Sequence, residues 1–471
     1  MIKIMSVKFY NHKIFDNRLF DFTIDGNAVN NIILAGENGS GKTKLLEEIY
    51  EISNMDFHNY SLIYKNKIVE LLIDLTSENY CDLNNENVFI DKAKLIITKN
   101  DKGTISQKVE FYSDNTEIKD VKSINGSEKI MSLRLNGLYS NVDINYKPRE
   151  EVKGITNKTL DNERNAIPKD MAHEIIQLLV DIAAQDSSEL DNWVGNNKGK
   201  VPPEDIYHIR LKRFTNAFKI IFDDNINYKY IRNNSIPIFD KNGQEIEVSS
   251  LSSGEKQIIF RGIYLLQNKN SLKGVPVFID EPEISMHPKW EDKIFDYYRT
   301  IFTEDDIQTS QIMIASHSEH ILSEVLNMDD CIVLKIDKDN CKKYYKGSNG
   351  IILPTMTIAE TKYTIFDMYT TDFHCLLYGY IQENLVKDNK GNILSNLTVT
   401  KTDKWLKTKG VTIKKYHKKI SATNIKNYDT LPTYIRNCID HPDDSFSYTK
   451  EELKKSIEDM IKIIDSYKNS I

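Results

Sequence analysis

The chain has 471 residues, with 62 basic and 69 acidic side chains and a net charge of -7. That is roughly three average domains and ample chain for a buried core; with 40% apolar and 28% charged residues and a mean hydropathy of -0.47, it excludes collagenous, low-complexity and wholly disordered readings. The acidic balance argues against a uniform electrostatic coat for nucleic acid, though not against a local basic groove.

No stretch approaches the run of about eighteen apolar residues that crosses a bilayer, and the first nine residues lack a signal-peptide core. The five cysteines, Cys81, Cys331, Cys341, Cys375 and Cys438, are scattered, form no CxxC knuckle and suit a reducing compartment. The expectation is a cytoplasmic protein.

Phe20, Phe22 and Ile24 alternate at period two, and residues 31–35 form a short apolar run, as in a buried strand. That run flows into Gly36-Glu37-Asn38-Gly39-Ser40-Gly41-Lys42-Thr43 and then into helical spacing from Lys44 to Tyr50. Short β-rich runs follow at 68–75, 94–98 and 109–112. The character changes near Pro148: Met171, Ile175, Leu178, Leu179 and Ile182 share one helical face, and Phe214, Ala217, Phe218 and Ile221 another. Strand signals return at 236–239 and 246–248, then at 275–279, which ends in carboxylates, and at 311–315, which ends in Ser316-His317. Beyond about residue 350 the chain reads as helical again. Its last helix opens with a capping box, Thr449 and Glu452. No sustained heptad repeat predicts a long coiled-coil arm.

Four motifs carry chemistry. Gly36, Gly41, Lys42 and Thr43 fill GxxxxGK[ST], in which small residues let backbone N–H groups wrap phosphates at a helix N-terminus. Lys42 would bridge phosphates and Thr43 would ligate Mg2+. Asp280 and Glu281 end an apolar strand, where one acid can hold a metal shell and the next can orient or deprotonate water; alone they read equally well as an acidic turn. Ser252-Ser253-Gly254 opens a helix, an anion cradle or an ordinary N-cap. His317 follows a core strand, where a histidine is usually structural but could sense a γ-phosphate.

In this order the four motifs resemble those of ABC/SMC-type ATPases. The resemblance implies an α/β fold: a split ABC/SMC-like head with a mixed-sheet core, an inserted helical lid and a C-terminal helical region. It implies ATP and Mg2+ as cofactors. Gly36, Asn38, Gly39, Ser40, Gly41, Lys42 and Thr43 would hold the nucleotide, Thr43 and Asp280 the metal, and Glu281 and His317 would be catalytic. Heads of that class sandwich nucleotide between two copies, so Ser252 and Gly254 would complete the partner's site. Glu283 to His287 matches the D-loop. No Gln lies near residues 138–141, so the Q-loop contact is unassigned.

A narrower likeness joins residues 251–258 to 280–290, similar to bacterial stand-alone AAA ATPases, with Met286 where that group commonly has Leu. Within the group, and through residues 433–444, the chain resembles the PtuA-type ATPase subunits of Septu and retron-linked Septu-like anti-phage systems. This implies antiviral defence and a homodimer or higher homo-oligomer. It also implies a separate nuclease effector, HNH-type first and TOPRIM-type second, DNA or RNA as a further partner, and no membrane. The TOPRIM domain of OLD-family nucleases has no convincing acidic counterpart after residue 350. The expected divisions are 1–150 (N-lobe with the phosphate loop), 151–234 (helical insert), 235–350 (C-lobe) and 351–471 (C-terminal partner or oligomerisation region).

Rival readings rest on fewer residues. Arg436 and His441 satisfy the R-x4-H spacing of HEPN ribonucleases, but Pro442 favours a helix end over a catalytic helix. Arg210, Lys212, Arg213 and Lys219 make a basic helix, a solvated face or a phosphate contact. An SMC-like DNA-repair ATPase would share the head but calls for long heptad arms, and a transporter cassette is about half this length and docks on membrane helices. His317 and His320 have no third ligand for zinc.

Overall fold

A computed structural model describes all residues except 11, 56–65, 100–101, 103, 141–170, 203–208, 234–235, 267–273, 285, 339, 388–397, 422–423, 442–446 and 469–471. The chain divides into two compact units, residues 1–321 with 328–343, and residues 322–327 with 344–471.

In the first unit, β1 (Lys3–Phe9) and β2 (Leu19–Asp21) precede β3 (Asn31–Ala35), which leads into α1 (Lys42–Asn54). Then come β4 (Asn66–Asp74), β5 (Lys92–Lys99), β6 (Ile105–Ser113), β7 (Thr116–Ile118) and β8 (Leu138–Ser140). The helices α2 (Met171–Asn196) and α3 (Ile209–Phe222) lead to the meander β9 (Ile226–Arg232), β10 (Ile236–Lys241) and β11 (Gln244–Glu247). After α4 (Ser253–Leu265) the chain runs through β12 (Val277–Asp280), α5 (Pro288–Ile301), β13 (Ile312–Ala315), α6 (Glu319–Val325), β14 (Cys331–Ile336) and β15 (Cys341–Tyr344).

Two six-stranded sheets organise this unit. One has the order β7-β6-β5-β4-β1-β2 and is antiparallel throughout. Its strands alternate between faces; in β5, Ala93, Leu95 and Ile97 point inward, the period-two pattern of a sheet with one buried face. The other has the order β8-β12-β13-β3-β14-β15, and β8, β12, β13, β3 and β14 pair in parallel. Strands β3, β12, β13 and β14 are buried at every position, as a parallel sheet covered on both faces requires. This is an α/β fold, and the parallel sheet matters most for function. In such sheets ligands sit beyond the carboxyl ends of the strands, and here those ends belong to β3, β12 and β13.

The apolar stripes of α2 and α3 bury Leu178, Leu179 and Ile182, and Phe214, Phe218 and Ile221. Helix α2 lies against α3 and α4, and α3 packs on α5.

The second unit contains α7 (Ile358–Thr364), α8 (Thr371–Tyr380), α9 (Val399–Thr408), β16 (Ile413–Ser421), β17 (Asn424–Thr430), α10 (Leu431–Asp440) and α11 (Lys450–Lys468). Phe373, Leu377, Ile435, Ile457 and Met460 form the centre of its core. The expected capping box is present: Glu452 N donates to Thr449 Oγ1 and Thr449 N to the Glu452 carboxylate. An all-helical reading of this stretch needs one correction, because β16 and β17 form an antiparallel hairpin. Its lysine-rich sequence hides the apolar alternation: Tyr416 and Tyr428 are buried and stacked across the strands at 5.1 Å.

Candidate functional site

The loop between β3 and α1 has the backbone that phosphate binding calls for. Gly36 has φ of 145°, and a Cβ there would collide with the carbonyl oxygen of Ile336. Gly41, the N-cap of α1, has φ of 100°, and a Cβ would press on the Phe15 ring at 3.1 Å. Neither position tolerates a side chain, so the loop stays tight and its N–H groups stay available at the start of α1. Asn38 and Gly39 lie exposed at the loop tip, while Ser40 is buried. The Ser40 hydroxyl is buried without a hydrogen-bond partner, an orphan of the kind a bound phosphate oxygen would satisfy.

Lys42 is 4% exposed and its Nζ donates to the carbonyl oxygens of Gly36 and Glu37, both at 3.0 Å. Burial lowers its pKa, opposed by Glu281, Asp280 and Glu283. The ammonium is thus folded onto its own loop with three carboxylates nearby.

Strand β12 carries Asp280 to the same edge. Thr43 Oγ1 donates to Asp280 Oδ1 at 3.1 Å, so the two expected metal ligands are neighbours across 237 positions of sequence. Burial pushes the Asp280 carboxyl up to about 6, against the Thr43 hydrogen bond. A hydroxyl and a carboxylate side by side are a hard oxygen donor set, which fits Mg2+.

Glu281 adopts φ of 42°, a left-handed conformation that costs a non-glycine residue of order 1 kcal/mol and tends to occur at functional sites. It turns the carboxylate toward His317, with Nε2 to Oε1 at 3.3 Å. Burial, then the Lys42 charge, lowers the His317 pKa below the usual 6.5. The imidazole is therefore neutral at pH 7 and its Nε2–H can donate to Glu281.

Glu283, grouped with the D-loop by motif, has a different place. One of its oxygens accepts from Ser316 Oγ at 2.8 Å, His317 N at 2.6 Å and Ser318 N at 3.2 Å. Burial raises its pKa against those bonds. The carboxylate ties the β12 turn to the β13 turn and so sets the position of His317. At the other end of the motif, His287 caps α5, its Nδ1 accepting from Lys289 N at 3.2 Å.

Ser252 and Gly254 stand apart from this cluster. Ser252 is the exposed N-cap of α4, in a full capping box with Glu255; Glu255 pairs with Lys241 at 2.9 Å. Among the described residues, neither Ser252 nor Gly254 bonds to the Gly36–Thr43 loop. The Ser252-Ser253 turn faces solvent, and Gly254 is buried behind it.

Arg261 was not singled out by any motif. It is 1% exposed on α4, and its guanidinium donates to the Asp280 carbonyl oxygen at 2.8 Å. The one basic residue among apolar neighbours on α4 (Ile258, Ile259, Phe260, Ile263) was the available signal, because an arginine in such a run is buried only with a partner. It connects the serine-glycine turn's helix to the acidic strand end. Near the open Q-loop position, Tyr139 and Ser140 are buried, and the Tyr139 hydroxyl is pushed up first by burial and then by Asp280.

The remaining candidates lie elsewhere. In the second unit Arg436 pairs with Asp440 at 2.5 Å and donates to Asn437 Oδ1 at 3.2 Å, while His441 is the exposed C-cap of α10; Pro442 lies outside the described residues. His320 pairs with Asp292 at 2.6 Å. Among the described residues no cluster of three or more His, Cys, Asp or Glu could hold a metal ion. No described helix is long and apolar enough to cross a membrane.

Residues 155–322 match the family model described as an AAA ATPase domain. The match takes in Ser252, Asp280, Glu281 and His317, and the Gly36–Thr43 loop precedes it. Among solved structures, the chain is similar to an SMC head domain from Thermotoga maritima, at 10% identity over 73% of this chain and 98% of that one, with a TM-score of 0.38. It is also similar to an Smc head domain with an extended coiled coil bound to the C-terminal domain of ScpA, from Pyrococcus furiosus. There the identity is 11% over 73% and 96% of the two chains, with a TM-score of 0.39. No curated protein matches the chain. The family match, with the phosphate loop and the acidic strand end brought to one sheet edge, makes the chain an ATPase.

Proposed function

We propose that this ATPase is an ABC/SMC-type head that hydrolyses Mg-bound ATP between two copies of itself and so regulates a nuclease partner in anti-phage defence. The observation that carries the catalytic part is the convergence of Thr43, Asp280, Glu281 and His317 on one carboxyl edge, with Thr43 and Asp280 in direct contact at 3.1 Å.

Lys42 leaves the Gly36 and Glu37 carbonyls and bonds the β- and γ-phosphates. Thr43 and Asp280 would hold a Mg2+, which when bound would neutralise phosphate charge. Glu281 takes a proton from water as its oxygen attacks the γ-phosphorus, and the bond from phosphorus to the β–γ bridging oxygen breaks, leaving ADP and phosphate. His317, neutral, donates a hydrogen bond and fixes the Glu281 carboxylate. The solvent-facing Ser252 turn at the N-terminus of α4 supplies the anion contact to a second copy's nucleotide.

Lys42→Ala should lose nucleotide affinity. Glu281→Gln should bind ATP, fail to turn it over and accumulate as a nucleotide-bound dimer in light scattering. Turnover of Glu281→Gln equal to wild type would remove the assigned base, and a Glu281→Gln protein that stays monomeric with ATP bound would remove the sandwich.

The defence assignment rests on the wording of residues 251–258 and 280–290, similar to PtuA-type subunits. Co-purification of an HNH nuclease with the tagged chain from its native operon is the expected result. A chain that purifies alone and protects cells alone would overturn it.

A further inference from the structure

The chain's basic residues are unevenly spent. On α3, the Arg213 side chain is buried and pairs with Glu304 at 3.1 Å, so part of that basic helix serves the first unit's own packing. A denser stretch lies in the second unit. Residues 401–426 contain nine lysines and one acidic residue, a net +8 within a chain of -7.

The single acid, Asp403, is turned inward, where it accepts from Asp429 N, Thr430 N and Thr430 Oγ1. Lys401, Lys404, Lys407, Lys409, Lys415 and His417 are exposed. Helix α9 packs against β17, and Lys407 of α9 reaches Asp429 of β17 at 2.7 Å. The Asp429 carboxyl is held below its usual range first by that hydrogen bond and also by the Lys415 charge from β16. Lys407 and Lys414 are thus spent on Asp429 and Glu452, and the exposed lysines left to the helix and hairpin include Lys404, Lys409 and Lys415.

Hairpin register places Lys418 directly opposite Lys426. The hairpin's tyrosines Tyr416 and Tyr428 are buried against each other, so it presents no aromatic platform for unstacked bases. Lysine ammoniums act as point charges on phosphates and read little sequence.

We propose that the α9–β16–β17 face binds a nucleic-acid duplex through its phosphate backbone, irrespective of base sequence. Binding needs no nucleotide at the ATP site, so its failure and that of the ATPase reading are separable.

The test uses the full chain without ATP and measures fluorescence anisotropy of labelled mixed-sequence DNA and RNA duplexes of about 20 base pairs over about 50–200 mM salt. Lys404 and Lys415 are exposed and not ion-paired among the described residues. Lys404→Gln with Lys415→Gln should weaken binding at least about ten-fold and make the log–log salt slope shallower by about 1.8, two phosphate contacts at about 0.9 each. Lys404→Arg with Lys415→Arg should bind like wild type, which separates charge from folding damage. The better-bound duplex identifies the nucleic acid. Equal affinity of wild type and the Gln variant at every salt concentration overturns the proposal. So does a wild type that ignores both duplexes but binds phosphatidylserine vesicles.

Discussion

Removing the Glu283 carboxylate should disable catalysis without removing any group that touches ATP. One carboxylate oxygen receives Ser316 Oγ, His317 N and Ser318 N at 2.8, 2.6 and 3.2 Å. Hydrogen bonds to a charged group contribute about 1.5–3 kcal/mol each in isolation, but three donors on one oxygen do not add. Burial of the charge, which raises the Glu283 pKa, offsets part of the sum. Glu283→Ala should therefore cost about 2–4 kcal/mol of stability, chiefly by stranding the His317 N–H, since Ser318 N keeps Ser316 Oγ as an acceptor at 3.0 Å. The released turn carries His317, and a displacement of about 1 Å at a positioned group costs about 10²-fold in rate. Phosphate release at saturating ATP should fall about 100-fold, while the KM for ATP, which the proposed Gly36–Thr43 binding loop would set, should change little. Glu283→Gln keeps an acceptor oxygen and should lose much less. A Glu283→Ala protein with kcat within about two-fold of wild type and an unchanged melting temperature would refute the claim that this carboxylate positions His317.

Arg261→Met leaves the Asp280 carbonyl and nearby polar groups buried without their donor. It should cost about 3–5 kcal/mol and lower kcat more than it raises KM; an equal melting temperature would contradict this. Gly36→Ala forces a Cβ into the Ile336 carbonyl oxygen at a φ of 145°, so ATP affinity measured by titration should fall by more than about ten-fold; retained affinity would show that the loop adjusts. In the second unit, burial raises the Glu360 carboxyl to about 7, against hydrogen bonds from Ile352 N and Leu353 N. Its folded value lies above the unfolded 4.5, so its stabilising contribution is complete below pH 4.5 and is lost as pH rises through about 7. Thermal melts between pH 5 and 8 should show that decline in wild type and not in Glu360→Gln; parallel curves would exclude Glu360 as its source.

How much of this was legible in the residues depends on whether the constraint is local. The phosphate loop is legible because backbone geometry demands glycine at Gly36 and Gly41 and the following helix begins at once. The buried strands β3, β12 and β13 are legible as apolar runs, and Asp280 as the acid at a strand end. Glu283 was assigned by its neighbours in sequence, although its partners lie 33 to 35 residues away; no spacing rule reaches that far. Arg261 sits in a run that reads as one apolar helix, and its function depends on the β12 end arriving beside it. The hairpin of β16 and β17 was hidden because five lysines and other polar residues interrupt its apolar alternation, yet nine lysines against one acid in residues 401–426 was a signal in plain composition.

In the proposed two-copy arrangement, Arg261 would link the two sites. Its helix, α4, begins at Ser252, the turn that faces solvent and would meet a second copy's nucleotide. Two turns later it grips the backbone of Asp280, the proposed metal ligand. A helix is stiff along its axis, so a shift of its N-terminus on engaging a partner's γ-phosphate carries to the Asp280 peptide and from there to Glu281, whose left-handed backbone leaves it little freedom to absorb the motion. Glu283, two residues on, passes the same displacement to the His317 turn. Each copy's acid and histidine would thus reach their working positions only when its own α4 has found a partner. Hydrolysis would then be coupled to pairing through a chain of contacts already present in the single subunit.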